Sequence, residues 1–188
     1  MPVSSRSAAP AAAARPAPAR LFFALWPGPA LAATLADWAA QAQAACGGRV
    51  MQPATMHLTL AFLGAVDAER AAALAAATAR QRVAPGSLTL DRYGAFARQR
   101  IVWAGPAETG AALQHTHDAL WHWLEPLGWQ RPTQPFTPHV TLLRRAASLD
   151  LPPAVPAPAP WRYDRYLLVE SRPQDAAARY RVLACTAL

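Results

Sequence analysis

Apolar residues fall along this chain in two rhythms, one suited to strands and one to helices. Residues 20–26 (RLFFALW) read as a first buried strand, ended by Pro27-Gly28-Pro29. Leu31, Leu35 and Trp38, with alanines between them, predict a helix over about 30–45 that Gly47-Gly48 stops. A strand over 56–63 follows, closed by Gly64. Asp67 is then a suitable N-cap for an alanine-rich helix reaching about Gln81. After the Pro85-Gly86 turn, 87–93 alternates as a strand. The run 101–103 is expected to be its hairpin partner. A third helix is predicted over about 108–125, with Leu113, Leu120, Leu124 and Leu127 on one stripe. Strands over about 135–143, 163–170 and 179–183 complete the pattern, the last two joined by Arg172-Pro173. The proline-rich 151–160 reads as a long surface loop.

Two of these strands carry the same message. Met56-His57-Leu58-Thr59-Leu60 is echoed by Pro138-His139-Val140-Thr141-Leu142. Side chains two apart on a strand share a face, about 6–7 Å from one another, while their neighbours point the opposite way. His57 and Thr59 therefore share one face and leave Leu58 and Leu60 for the core. His139 and Thr141 repeat the arrangement, and Pro138 holds Thr137 in extended backbone ahead of it. A lone histidine at a strand edge is more often structural than catalytic, but a matched pair is harder to dismiss. One His-x-Thr strand in each half predicts an α+β fold. The expected form is a bilobal, pseudo-symmetric duplication with two mainly antiparallel sheets facing across a central cleft and helices packed outside. Residues 1–19 (MPVSSRSAAPAAAARPAPA) read as a flexible Ala/Pro-rich tail, and 20–188 as a single domain.

Composition narrows the partners. The formal net charge is +7, and all 18 basic residues are arginine. Guanidinium forks suit phosphate oxygens, so a polyanion is admissible, although a biased genome would also replace lysine throughout. Cys46 and Cys185 form no Cys-x-x-Cys pair, so a reducing, cytoplasmic compartment is the expectation. No run approaches the roughly 18 apolar residues that span a bilayer, and no membrane partner is expected. His115, His117 and His122 are separated by two, five and seven residues. They do not share the i, i+4 face of a helical metal pair, and no nearby Cys or Glu completes a set. They are expected to face solvent, with no metal and no cofactor bound.

Two histidines across a cleft supply the two proton transfers of an in-line displacement at phosphorus. A neutral imidazole takes a proton from the attacking oxygen and a protonated one gives a proton to the leaving oxygen. The hydroxyls of Thr59 and Thr141 can bind non-bridging oxygens, and Arg144, close to the strand end, can complement their charge.

In the stretches RLFFALWP at 20–27, MHLTLAFLG at 56–64, YGAF at 93–96, IVWAG at 101–105 and PFTPHVTLLRRA at 135–146, the chain resembles the RNA 2′,3′-cyclic phosphodiesterases. These are also called 2′-5′ RNA ligases and belong to the two-histidine phosphoesterase superfamily. Leu168-Val169-Glu170-Ser171 and Tyr180 resemble the family's closing strands. The resemblance implies metal-independent opening of a ribose 2′,3′-cyclic phosphate to a 2′-phosphomonoester, acting on RNA ends or nucleotides. It assigns His57 as proton donor to the leaving 3′-oxygen and His139 as the base that activates water. It also makes Thr59 and Thr141 the phosphate-binding threonines, Arg144 a substrate contact, and Phe22 or Phe23 the ring that stacks on the base. A monomer is expected. Alternatives are 2′-5′ ligation with a 5′-hydroxyl as nucleophile, cleavage of another 2′-5′ or cyclic diester, and a non-catalytic RNA-binding module that stacks bases on Phe22, Trp26 or Trp103.

Overall fold

The expected opening strand is β1 (Ala19–Leu25), whose side chains part cleanly between two environments. Leu21, Phe23 and Leu25 enter the main core, while Phe22 and Ala24 join Val169 in a smaller cluster on the opposite face. The computed structural model describes residues 19–172 and 180–187. The expected tail lies outside the described residues except for Ala19, which is already in β1, and Pro173 also lies outside them.

α1 (Pro29–Cys46) opens with proline at its first turn, where a missing N–H costs nothing, and stops at Gly47. After β2 (Arg49–Val50) and a 3-10 turn at Pro53–Thr55 comes β3 (Leu58–Val66). Asp67 caps α2 (Ala68–Thr78), its carboxylate accepting from the Arg70 N–H at 2.8 Å. β4 (Gly86–Leu90), β5 (Arg92–Phe96) and β6 (Ile101–Gly105) lead to α3 (Ala111–Leu124), then β7 (Val140–Arg144), β8 (Ala159–Tyr163), β9 (Leu167–Ser171) and β10 (Tyr180–Cys185). Among the described residues no helix is long and apolar enough to cross a membrane.

The strands form the order β10-β9-β1-β3-β7-β6-β5, with β2 added on β7, every pairing antiparallel. This is the duplication made visible: β1–α1–β3 in one half corresponds to β6–α3–β7 in the other. The halves meet through the pair Leu58↔Val140, the residues that follow the two histidines, so the two antiparallel lobes expected to face each other are joined edge to edge in one sheet. The helices are exchanged behind this seam: α1 packs on β7, and α3 packs on β3.

Expectations for individual elements change as well. The run 87–93 is two strands rather than one. Asp91 separates them, its carboxylate accepting from the Ala107 N–H, and β5 rather than β4 pairs with β6. β4 instead pairs with β8 in a separate two-stranded sheet, so Ala159 and Pro160, expected at the end of a loop, belong to a strand. Leu113, Leu120 and Leu124 are buried as predicted. Leu127, however, lies past the helix in a 3-10 turn and is exposed. His117, expected to face solvent, is 5% exposed and stacks on Phe136.

Candidate active site

His57 and His139 each sit one residue before their strand begins. Each directs Nδ1 to the carbonyl two residues back, His57 to Thr55 and His139 to Thr137, both at 2.8 Å. A carbonyl only accepts, so Nδ1 is the protonated nitrogen in both rings. Nε2 is left in both as the atom that can take or give a proton.

The strands converge on a cavity of about 140 Å³ lined by His57, Thr59, His139, Thr141, Arg144, Met51, Thr55 and Ile101. Continuing the antiparallel register from Leu58↔Val140 sets His57 against Thr141 and Thr59 against His139. A second shared device shapes the cavity. β3 bulges at Leu60, between the pairs Phe23↔Ala61 and Ala24↔Thr59. β7 bulges at Leu142, between Val102↔Leu143 and Trp103↔Thr141. In each case the extra residue is the leucine directly after the motif threonine. A bulge reverses the alternation of faces beyond it, so the residue three past the threonine returns to the threonine's side. That residue is Arg144 in the second half and Phe62 in the first. Phe62 is 52% exposed, with the Arg20 guanidinium 5.5 Å over its ring. Gly64, at a further register shift in β3, takes φ +73°, which a side chain would disfavour.

Electrostatics favour neutral imidazoles in the free protein. Burial lowers the His57 pKa to about 4, against the opposing pull of the Thr55 carbonyl and with help from His139 and Arg144. His139 is lowered as well, first by burial and then by Arg144, with the Thr137 carbonyl opposing. An anion among these groups reverses the repulsive part of that balance.

Aromatic rings flank both histidines. Trp26 stacks on His57 with centroids 5.1 Å apart and planes 13° apart; Phe22 and Tyr180 contact the same ring at 4.9 and 5.2 Å. Phe96 meets His139 edge-on at 4.8 Å. The Phe23 alternative is corrected: its side chain is fully buried on the opposite face of β1 against Trp123 and Tyr166. Phe22 faces the histidine but is only 4% exposed, so it supports the imidazole from below. Phe96 and Tyr180 carry no expected role from the residues alone. The one available signal was their place in the YGAF and closing-strand stretches. His115, His117 and His122 lie outside this cavity. Among the described residues, no group of three or more His, Cys, Asp or Glu is placed to hold a metal ion. A larger groove of about 730 Å³ runs between the start of α1 and 156–162, but no histidine lines it. Chemistry, not volume, selects the smaller cavity.

The family model for the 2′-5′ RNA ligase superfamily matches residues 27–172. The chain belongs to that superfamily. A curated member, RNA 2′,3′-cyclic phosphodiesterase of Escherichia coli K12, is 36% identical over 137 residues, which is 72% of this chain and 78% of the relative. The crystal structure of E. coli LigT complexed with 3′-AMP superposes with a TM-score of 0.79 at 32% identity, covering 91% of this chain and 98% of that one. A similar fold also occurs in TT0787 of Thermus thermophilus, with a TM-score of 0.71 at 26% identity over 88% of this chain and 96% of that one. The duplicated antiparallel lobes with peripheral helices are thus the architecture of solved superfamily relatives.

Proposed function

We propose that this protein is an RNA 2′,3′-cyclic phosphodiesterase that opens the ring to a 2′-phosphomonoester by paired-histidine acid–base catalysis. One observation carries the reading. Two imidazoles from separate halves have Nδ1 occupied by backbone, which leaves both Nε2 atoms for a single cavity. The likeness to a relative named for this activity, and to one solved with 3′-AMP, supports it.

Thr59, Thr141 and Arg144 hold the non-bridging oxygens of the cyclic phosphate. His139 Nε2 takes a proton from water as its oxygen attacks phosphorus. The bond from phosphorus to the ribose 3′-oxygen breaks, and protonated His57 gives its Nε2 proton to that oxygen. The products are a free 3′-hydroxyl and a 2′-phosphate, with the protons balanced between the two rings. Each transfer contributes roughly 10²–10⁴ in rate. The acid is scarce in the free protein, because His57 titrates near 4. The substrate's negative charge raises that value as it binds, so substrate prepares its own proton donor. These steps call on no metal. The free thiols of Cys46 and Cys185 suit a reducing, cytoplasmic setting. Of the three rings of the base-stacking module, Phe22 and Trp103 are buried and Trp26, half-buried, is already stacked on His57.

The test is hydrolysis of a 2′,3′-cyclic nucleotide in excess EDTA, with product identity read by phosphorus NMR and with His57→Ala and His139→Ala alongside. A 2′-phosphate is expected, with each variant losing roughly 10²-fold or more in kcat and keeping its melting temperature. A 3′-phosphate would reverse the assignment of acid and base.

A further inference from the structure

The two histidines hang from carbonyls that are held in different ways. Thr55 ends a 3-10 turn closed by its own backbone, with the Thr55 N–H donating to Gln52 at 2.8 Å and the Met56 N–H to Pro53 at 3.1 Å. Thr137 has no such turn, because residues 129–139 form neither helix nor strand. Side chains hold that stretch instead. The ring of Phe136, next to Thr137, lies flat on His117 of α3, with centroids 3.9 Å apart and planes 10° apart. Arg131, earlier in the same stretch, bonds Asp118 of α3.

His117 is fixed at both edges. Its Nε2 accepts from the buried Trp121 indole N–H at 3.1 Å. Its Nδ1 lies 3.4 Å from the Asp118 carboxylate, which the Arg131 guanidinium also bonds. Gln114 steadies Asp118 with a further bond at 2.9 Å. An indole only donates, so the Nε2 of His117 carries the lone pair and its proton sits on Nδ1 toward Asp118. A ring pinned in this way is a rigid shelf inside the core, and Phe136 rests on it.

We propose that His117 is a positioning residue for His139: it fixes Phe136, and with it the Thr137 carbonyl that keeps the His139 proton on Nδ1. α3 thereby does for the second histidine what the 3-10 turn does for the first. Loss of the shelf frees the Thr137 carbonyl, and His139 redistributes its proton toward Nε2, the nitrogen that must be bare to act as a base. The consequence for rate rests on the role of His139 proposed above; the consequence for the tautomer does not.

The experiment is nitrogen NMR of the imidazoles at neutral pH in wild type, His117→Ala and Phe136→Leu, with kcat and KM for a 2′,3′-cyclic nucleotide measured in parallel. In wild type, His57 and His139 should both report Nδ1–H. In the variants, His139 should gain Nε2–H while His57, held by its own turn, stays unchanged. kcat should fall roughly 10- to 100-fold with KM within about threefold, the scale of a misplaced catalytic group. Phe136 is only half-buried, so Phe136→Leu carries the test if His117→Ala does not fold. An unchanged His139 tautomer, or a change shared equally by His57, overturns the proposal. An inactive wild type with the expected tautomers would instead overturn the activity.

Discussion

Thr141 and Arg144 stand three residues apart in β7 and yet line the same cavity, because the strand bulges at Leu142 between them. On an unbroken strand the arginine would point into the core behind the sheet. The bulge brings a cation alongside the two imidazoles, where it adds to the lowering of both pKa values that burial chiefly causes.

Removing that cation should act on binding before chemistry. Arg144→Gln is expected to raise KM roughly tenfold, a charge-assisted hydrogen bond being worth about 1.5–3 kcal/mol and Arg144 being partly solvated. Thr59→Val and Thr141→Val should each lower kcat/KM by a similar factor while preserving shape. Steady-state kinetics on a 2′,3′-cyclic nucleotide measure all three, and unchanged values would remove these groups from the phosphate site.

Anion binding should be visible as a titration. In the free protein the His57 resonance should titrate near 4. Saturation with inorganic phosphate should move it upward, because the anion offsets the repulsion from Arg144 and His139. In the same way, the acid pKa seen in kcat should lie above the one seen in kcat/KM. An NMR titration with no upward shift contradicts the substrate-assisted acid.

Neighbouring phenylalanines should fail differently. Phe23→Ala removes a fully buried ring and should cost about 3–5 kcal/mol of stability, read by urea unfolding. Phe22→Leu keeps most of the packing but loses the ring beneath His57, so it should alter kcat at nearly unchanged stability. The reverse pattern would mean that β1 presents its other face to the site.

Acid should destabilise the fold before its carboxylates protonate. His57, His117 and His139 all have pKa values lowered in the fold, chiefly by burial. The unfolded chain therefore binds more protons below about 6.5. Their contribution is complete above that pH and declines as pH falls toward the folded values, near 4 for His57. Melting temperature measured from pH 7 to 4 should fall across that window; a flat profile would show these rings to be solvated.

Much of this was legible in the residues themselves. Period-two alternation in the two His-x-Thr runs places each histidine with its threonine, and local rules fix the Asp67 cap and the glycine that ends α1, since each depends on near neighbours. Tertiary structure decided what depends on distant partners. Which strand β4 joins is set by β8, over seventy positions later in the chain. His117, expected to face solvent, is buried because Phe136 and Trp121 close over it. The bulges at Leu60 and Leu142 reverse which side chains face the cavity, and strand alternation holds no sign of them, because a bulge exists only in the register between two paired strands.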